Sequence, residues 1–124
     1  ICVGMQILFA SSDEGKKLGL GLFNNTVKKL KISKNSSFKI PNVGFSKIYD
    51  FKSEGLFNSL ENPFFYFTHS YHLGDIDKKN VVSTVDHGIK LVAIINHNNI
   101  FGTQFHPEKS DKLGLNIIDN FINI

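Results

Sequence analysis

The apolar positions change period several times along the chain. Residues 3–11 carry Met5, Leu8 and Phe9 at helical spacing before Ser11, Ser12 and Asp13 close the run, which predicts a helix. Residues 14–22, EGKKLGLGL, are punctuated by glycine and predict a loop. Between residues 26 and 32, Val27, Leu30 and Ile32 are broken by lysines, the pattern of a half-buried strand. Residues 34–41 predict a polar turn stopped by Pro41.

Farther on, FFYFTHS at residues 64–70 predicts a buried strand entered through Asn62 and Pro63. Three short apolar runs follow at residues 81–85, 91–95 and 100–105. Turn signals at residues 86–88 and 96–99 separate them. Connections this short favour antiparallel hairpins. At the end, Leu113, Ile117, Ile118 and Phe121 share one helical face, with Asp111 placed to cap it. Helix, strands and terminal helix together predict an α/β or α+β domain. A chain that opens on a helix, with no initiator Met, is expected to be cut from a longer one that supplies the strands this helix covers.

Composition narrows the function classes. At 124 residues the chain is one domain or less, with the apolar fraction of a globular protein. The net charge of +3 comes from scattered lysines, and the densest group, Lys28, Lys29 and Lys31, alternates with apolar residues as on a solvated strand face. A nucleic-acid binder clusters its basic residues, so that class is set aside. One cysteine excludes an internal disulfide and suits a reducing, cytoplasmic setting. The opening ICVGMQILFA lacks a basic start and is interrupted by Gly4 and Gln6, so it predicts neither a signal peptide nor a membrane span. His69, His72, His87 and His97 show no metal-ligand spacing, and neither a metal nor another cofactor is expected.

Two short motifs carry chemistry. Cys2-Val3-Gly4 directly precedes the predicted helix, as a nucleophile on a tight turn requires: the neighbours are small, and the helix start favours a thiolate. By itself such a cysteine is more often a buried core residue. The second motif is Gln104-Phe105-His106-Pro107-Glu108-Lys109-Ser110. On an extended chain His106 and Glu108, two apart, share a face, so the carboxylate could orient the imidazole. Together the motifs specify a Cys–His–Glu triad whose base takes the thiol proton.

On these residues the chain resembles the class I (triad) glutamine amidotransferases, which have a flavodoxin-like α/β fold. ICVGMQ is similar to their nucleophile elbow and FGTQFHPEKS to their His-Pro-Glu segment. GLGLF, PNVGFSK, YFTHSYH and GLNIIDNFI follow in order, with spacings that resemble the glutaminase subunits of imidazole glycerol phosphate synthase. The resemblance implies that residues 1–124 are the C-terminal two-thirds of one such domain, with antiparallel strands in the C-terminal half. It implies Cys2 as nucleophile, His106 as base and then acid, and Glu108 as orienting carboxylate. It also implies that Val3 supplies an oxyanion-hole N–H and that Gln6, Ser70 and Tyr71 contact L-glutamine. The implied partner is a (β/α)₈-barrel cyclase subunit, which Lys109 and Ser110 would face. Phe45 and Ser46 depart from the Trp and Asn usual in the histidine-pathway subunits, in a loop expected near the partner. A paralogue supplying ammonia for sugar amidination in surface-glycan synthesis, or an inactive fragment or interaction module, remains the alternative. The glycine-rich loop completing the oxyanion hole is not among these residues, so the 124 residues alone are expected to be inactive.

Overall fold

A computed structural model describes residues 1–51, 55–58 and 60–124. After the single-turn helix α1 (Val3–Gln6) come β1 (Phe9–Ser12), β2 (Phe23–Lys29), β3 (Asn42–Tyr49), β4 (Phe64–His69), β5 (Tyr71–Leu73), β6 (Val81–Asp86), β7 (Lys90–His97) and β8 (Ile100–Thr103). The chain closes on helix α2 (Asp111–Ile122). Among the described residues, no helix is long and apolar enough to cross a membrane.

The strands form two sheets. One has the order β1-β2-β5, with β1 parallel and β5 antiparallel to β2. The other, β4-β3-β6-β7-β8, is antiparallel throughout. Two apolar clusters hold them. Ile48, Phe65, Phe67, Val85, Leu91, Ile94 and Phe105 pack with Ile117 of α2, while Met5, Phe9, Phe23, Val27, Leu73 and Ile95 pack beneath α1. Strand β7 separates the two, because successive side chains leave opposite faces of a strand. An extra residue, Ala93, lies between the β7 positions that pair Ser83 and Thr84. This bulge resets the alternation, so Ala93 and Ile94 both enter the first cluster.

The three predicted hairpin strands and the terminal helix are present. Five other expectations change. The helix over residues 3–11 ends at Gln6, since a single turn with no side-chain cap propagates poorly, and Phe9–Ser12 gains a parallel ladder with β2 and a stack of Phe9 on Phe23 at 4.9 Å instead. The strand predicted at 26–32 runs Phe23–Lys29, and Lys28 and Lys29 do face solvent. Strand β4 is half-buried: Phe65, Phe67 and His69 point inward and the alternate residues do not. Strand β3 has no counterpart in the predicted elements, and the loop expected to hold Phe45 and Ser46 lies within it. Asp111 does not cap α2. It is the first helical residue, at φ 50°, and Ser110 occupies the cap position without capping through its side chain.

Candidate active site

Cys2 lies on a turn tighter than most residues tolerate, at φ 48° and ψ −117°. Its N–H donates to Thr103 O at the end of β8 (2.7 Å), and its carbonyl accepts from the N–H groups of Met5 and Gln6. The backbone is thus fixed from both sides, which is how such a conformation persists. The thiol donates to Thr68 O at 3.8 Å and accepts from Gln104 Nε2 at 3.6 Å. Burial pushes its pKa up; the Val3 N–H and the Gln104 amide pull it down, and Glu108 raises it again. The balance lies above the ordinary thiol value. The thiolate support expected from the helix start is therefore outweighed, since α1 is only one turn long. A thiol protonated at neutral pH needs a base to become a nucleophile.

The expected base, His106, is held on the same strand edge as the thiol. Among the described residues, the outer edge of β4 pairs with no strand. Tyr66 O accepts from the His106 N–H at 2.8 Å, and Thr68 O, two residues on, receives the Cys2 thiol. His106 and Glu108 do not meet by extended alternation, as expected from their spacing. His106 is extended, and the 3₁₀ turn Pro107–Lys109 folds the carboxylate back, bringing Glu108 Oε1 to 2.7 Å from His106 Nδ1. A carboxylate can only accept, so Nδ1 carries the hydrogen and Nε2 offers its lone pair. Nε2 is buried and has no hydrogen-bond partner among the described residues. Burial raises the Glu108 pKa, but the bond to His106, its own N–H and the neighbouring charges leave it below the usual carboxylate range.

Ser110 locks the turn. Its hydroxyl donates to His106 O at 2.6 Å and accepts from the Tyr66 N–H at 2.9 Å. It is 1% exposed, so the expected partner-facing role is corrected: both hydrogen-bonding functions are spent inside the chain. Lys109 is exposed, with Nζ 5.9 Å above the Tyr66 ring. Phe45 meets the same ring edge-on at 5.6 Å and is half exposed.

Among the residues expected to touch substrate, Val3 directs its N–H at the sulfur. Gln6 is nearly buried, and its Nε2 donates to Tyr71 O at 3.0 Å and to Gln104 Oε1 at 2.9 Å. Ser70 and Tyr71 are partly exposed, and their carbonyls are occupied, Ser70 O by the Leu30 N–H and Tyr71 O by Gln6 and His69. A hollow of about 220 Å³ opens beside α1, lined by Val3, Gln6, Ser12, Glu14, Lys16 and Lys17. Glu14 and the two lysines offer both charge signs, as an amino-acid zwitterion requires. Sequence reasoning passed over them as loop, although the charged run directly after the first element was a usable signal. Gln104 and His69 were passed over too. His69 is buried between Asn42 and Tyr71 O, and burial lowers its pKa to about 4. Two hollows of about 370 and 380 Å³ share Leu56 and Phe101 and include none of Cys2, Gln6 or His106. Among the described residues, no three His, Cys, Asp or Glu side chains are grouped to hold a metal.

Comparison with known proteins fits this geometry. The family model described as class-I glutamine amidotransferase matches residues 1–124. The imidazole glycerol phosphate synthase subunit HisH of Leptospira borgpetersenii is 44% identical over all of this chain and 62% of its own length. HisH 2 of Methanococcus maripaludis is 42% identical over 98% of this chain and 60% of its own, and HisH of Bacillus subtilis 35% identical over 98% and 58%. The chain thus spans about three-fifths of the length of these relatives. Among solved structures, a putative GMP synthase component from Thermoplasma acidophilum shares the fold, with a TM-score of 0.62 at 24% identity over 82% of this chain and 48% of that one. With an elbow cysteine, a carboxylate-held imidazole and this match along its whole length, the chain belongs to the class-I glutamine amidotransferase family.

Proposed function

We propose that these 124 residues are the C-terminal part of a glutaminase domain that releases ammonia from L-glutamine through a thioester. The observation that carries the reading is the buried His106 Nε2, without a partner among the described residues, in a site whose thiol does not ionise unaided. His106 Nε2 takes the Cys2 proton, and the sulfur attacks the side-chain amide carbon. Negative charge that develops on the amide oxygen is met by the Val3 N–H. The imidazolium, stabilised by Glu108, returns the proton to the departing nitrogen, so ammonia leaves and a glutamyl thioester remains. Water, deprotonated by His106, adds to the thioester; the thiol is restored and glutamate departs. The amino-acid end of the substrate extends into the hollow holding Gln6, Glu14 and Lys16, and Ser70 and Tyr71, whose carbonyl holds Gln6, contact it from the junction of β4 and β5.

Ammonia that escapes to water is protonated and lost as a nucleophile, so the full protein delivers it to a partner subunit. The HisH names of the relatives support a (β/α)₈ cyclase making imidazole glycerol phosphate in cytoplasmic histidine biosynthesis. Exposed Lys109 and Phe45, with half-buried Tyr66 against both, form a surface beside the His106 turn for that contact. Phe45 favours one other partner class, the cyclase-like subunits of surface-glycan synthesis. In the test, the full-length protein with its cyclase hydrolyses glutamine and Cys2→Ala loses the activity while still binding the partner. Turnover retained in Cys2→Ala would overturn the triad. Rescue of a histidine auxotroph assigns the histidine pathway, and failure with an active glutaminase assigns the glycan pathway.

A further inference from the structure

A chain of hydrogen bonds ends on the Cys2 sulfur, and every link in it has a fixed direction. Asn42 Nδ2 lies 3.0 Å from His69 Nε2, and His69 Nδ1 lies 2.8 Å from Tyr71 O. A carbonyl oxygen can only accept, so His69 Nδ1 carries the hydrogen and Nε2 receives from Asn42. The same carbonyl receives Gln6 Nε2 at 3.0 Å, which sets the orientation of the Gln6 amide. The second Gln6 N–H then donates to the Gln104 oxygen, at 2.9 Å, and this turns the Gln104 NH₂ toward the sulfur, 3.6 Å away. One main-chain carbonyl on β5 therefore fixes three side chains in sequence. Gln104 has no exposed surface, so water cannot replace its N–H groups at the sulfur.

We propose that Gln104 is a positioning residue for the nucleophile: its amide N–H holds the Cys2 sulfur and favours the thiolate, and its orientation is set by Gln6 and Tyr71. The inference rests on Cys2 being the nucleophile of the proposed reaction. A thiol accepts a hydrogen bond weakly, whereas a thiolate accepts strongly, so the contact strengthens as the proton leaves. The donor opposes the burial that raises the thiol pKa. Among the described titratable groups on the elements around the sulfur, Glu108 acts in the opposite direction; His106, Tyr66, His69, Tyr71, His72 and Lys109 also stand on these elements. Because Gln6 also lines the substrate hollow, a ligand that draws on Gln6 alters the group that holds the sulfur.

The test reads the thiol directly and needs no turnover. In the full-length protein with its partner, the rate of Cys2 alkylation by iodoacetamide is followed against pH for wild type, Gln104→Met and Gln104→Glu. Methionine keeps the volume without the donor; glutamate keeps the shape and the acceptor for Gln6 but turns a carboxylate oxygen to the sulfur. Both variants are expected to raise the alkylation midpoint, Gln104→Met by about one pH unit, or about tenfold slower alkylation near pH 7. Unshifted midpoints in folded variants would overturn the proposal and leave Gln104 as core filling. In wild type, the Gln104 side-chain amide resonances should move with the same midpoint as alkylation and stay still in Cys2→Ser. Resonances that ignore the thiol titration would equally overturn it. If the midpoint shifts but glutamine is not hydrolysed, the proposed reaction fails and the role of Gln104 stands.

Discussion

Gly114 lies in the first turn of α2 and faces the His-Pro-Glu turn. A β-carbon placed there would stand 1.8 Å from Pro107 O, 2.7 Å from Pro107 C and 2.8 Å from Ser110 Cβ. Two effects of Gly114→Ala oppose each other. Helix propensity favours alanine by about 1 kcal/mol. Against this, the first contact is short by roughly 1.5 Å or more of ordinary packing distance, and the atom struck is a main-chain oxygen that no rotamer can move. Overpacking costs about 1–3 kcal/mol, and so short a contact with main chain belongs to the upper part of that range, about 2–3 kcal/mol, so the net change is a destabilisation of about 1–2 kcal/mol. The helix must retreat from Pro107, and Ser110, whose O accepts the Gly114 N–H and whose hydroxyl clamps His106 to β4, moves with it. Misplacement of a catalytic group by an ångström costs on the order of 100-fold in rate. The full-length protein should therefore show a lower urea midpoint and a kcat that falls by more than the loss of folded protein explains. A midpoint that is unchanged or higher would refute the reasoning, because propensity would then have decided a site where packing is predicted to win.

Other expectations follow from the same contacts. Ser110→Ala leaves the Tyr66 N–H without its acceptor and should cost about 1–3 kcal/mol in urea denaturation; a loss below the error of the measurement would contradict the clamp. Glu108→Gln still offers an oxygen to Nδ1–H but no charge for the imidazolium, so kcat should fall about tenfold with little change in KM for glutamine, and Glu108→Ala should fall further. His69, with a pKa of about 4 when folded against about 6.5 unfolded, is protonated more readily in the unfolded chain. Its contribution is present above about pH 6.5 and is lost as pH falls toward 4, by up to about 3 kcal/mol, so the urea midpoint should drop across that window and drop less in His69→Gln. The isolated 124 residues should release no glutamate from glutamine, and measurable release would show that the described groups suffice.

The elements legible in the sequence are those whose signals are local. The hairpins β6-β7 and β7-β8 place turn formers between apolar runs, and α2 repeats its apolar positions within one helix. The pairing of His106 with Glu108 was legible because the two stand two residues apart, although the actual contact comes from a 3₁₀ turn that spacing did not reveal. The misses are all decided by partners distant along the chain. Met5 and Phe9 share one cluster, which mimics helical spacing, but Met5 reaches it from a helix and Phe9 from a strand paired with residues 23–27. Strand β3 was hidden because it turns Val43, Phe45 and Tyr49 outward and buries Asn42, the reverse of what a one-sided core asks of a strand. Gln104 was hidden for the same reason on a smaller scale. A glutamine inside the apolar run of residues 100–105 conflicts with the local pattern, and such conflicts concentrate where function outweighs packing. Its burial is tolerable only because Gln6 and Cys2, at the far end of the chain, complete its hydrogen bonds. A polar residue that violates the pattern of its own apolar run is therefore the position from which to look for a distant polar partner, and here the partners are Gln6 and Cys2.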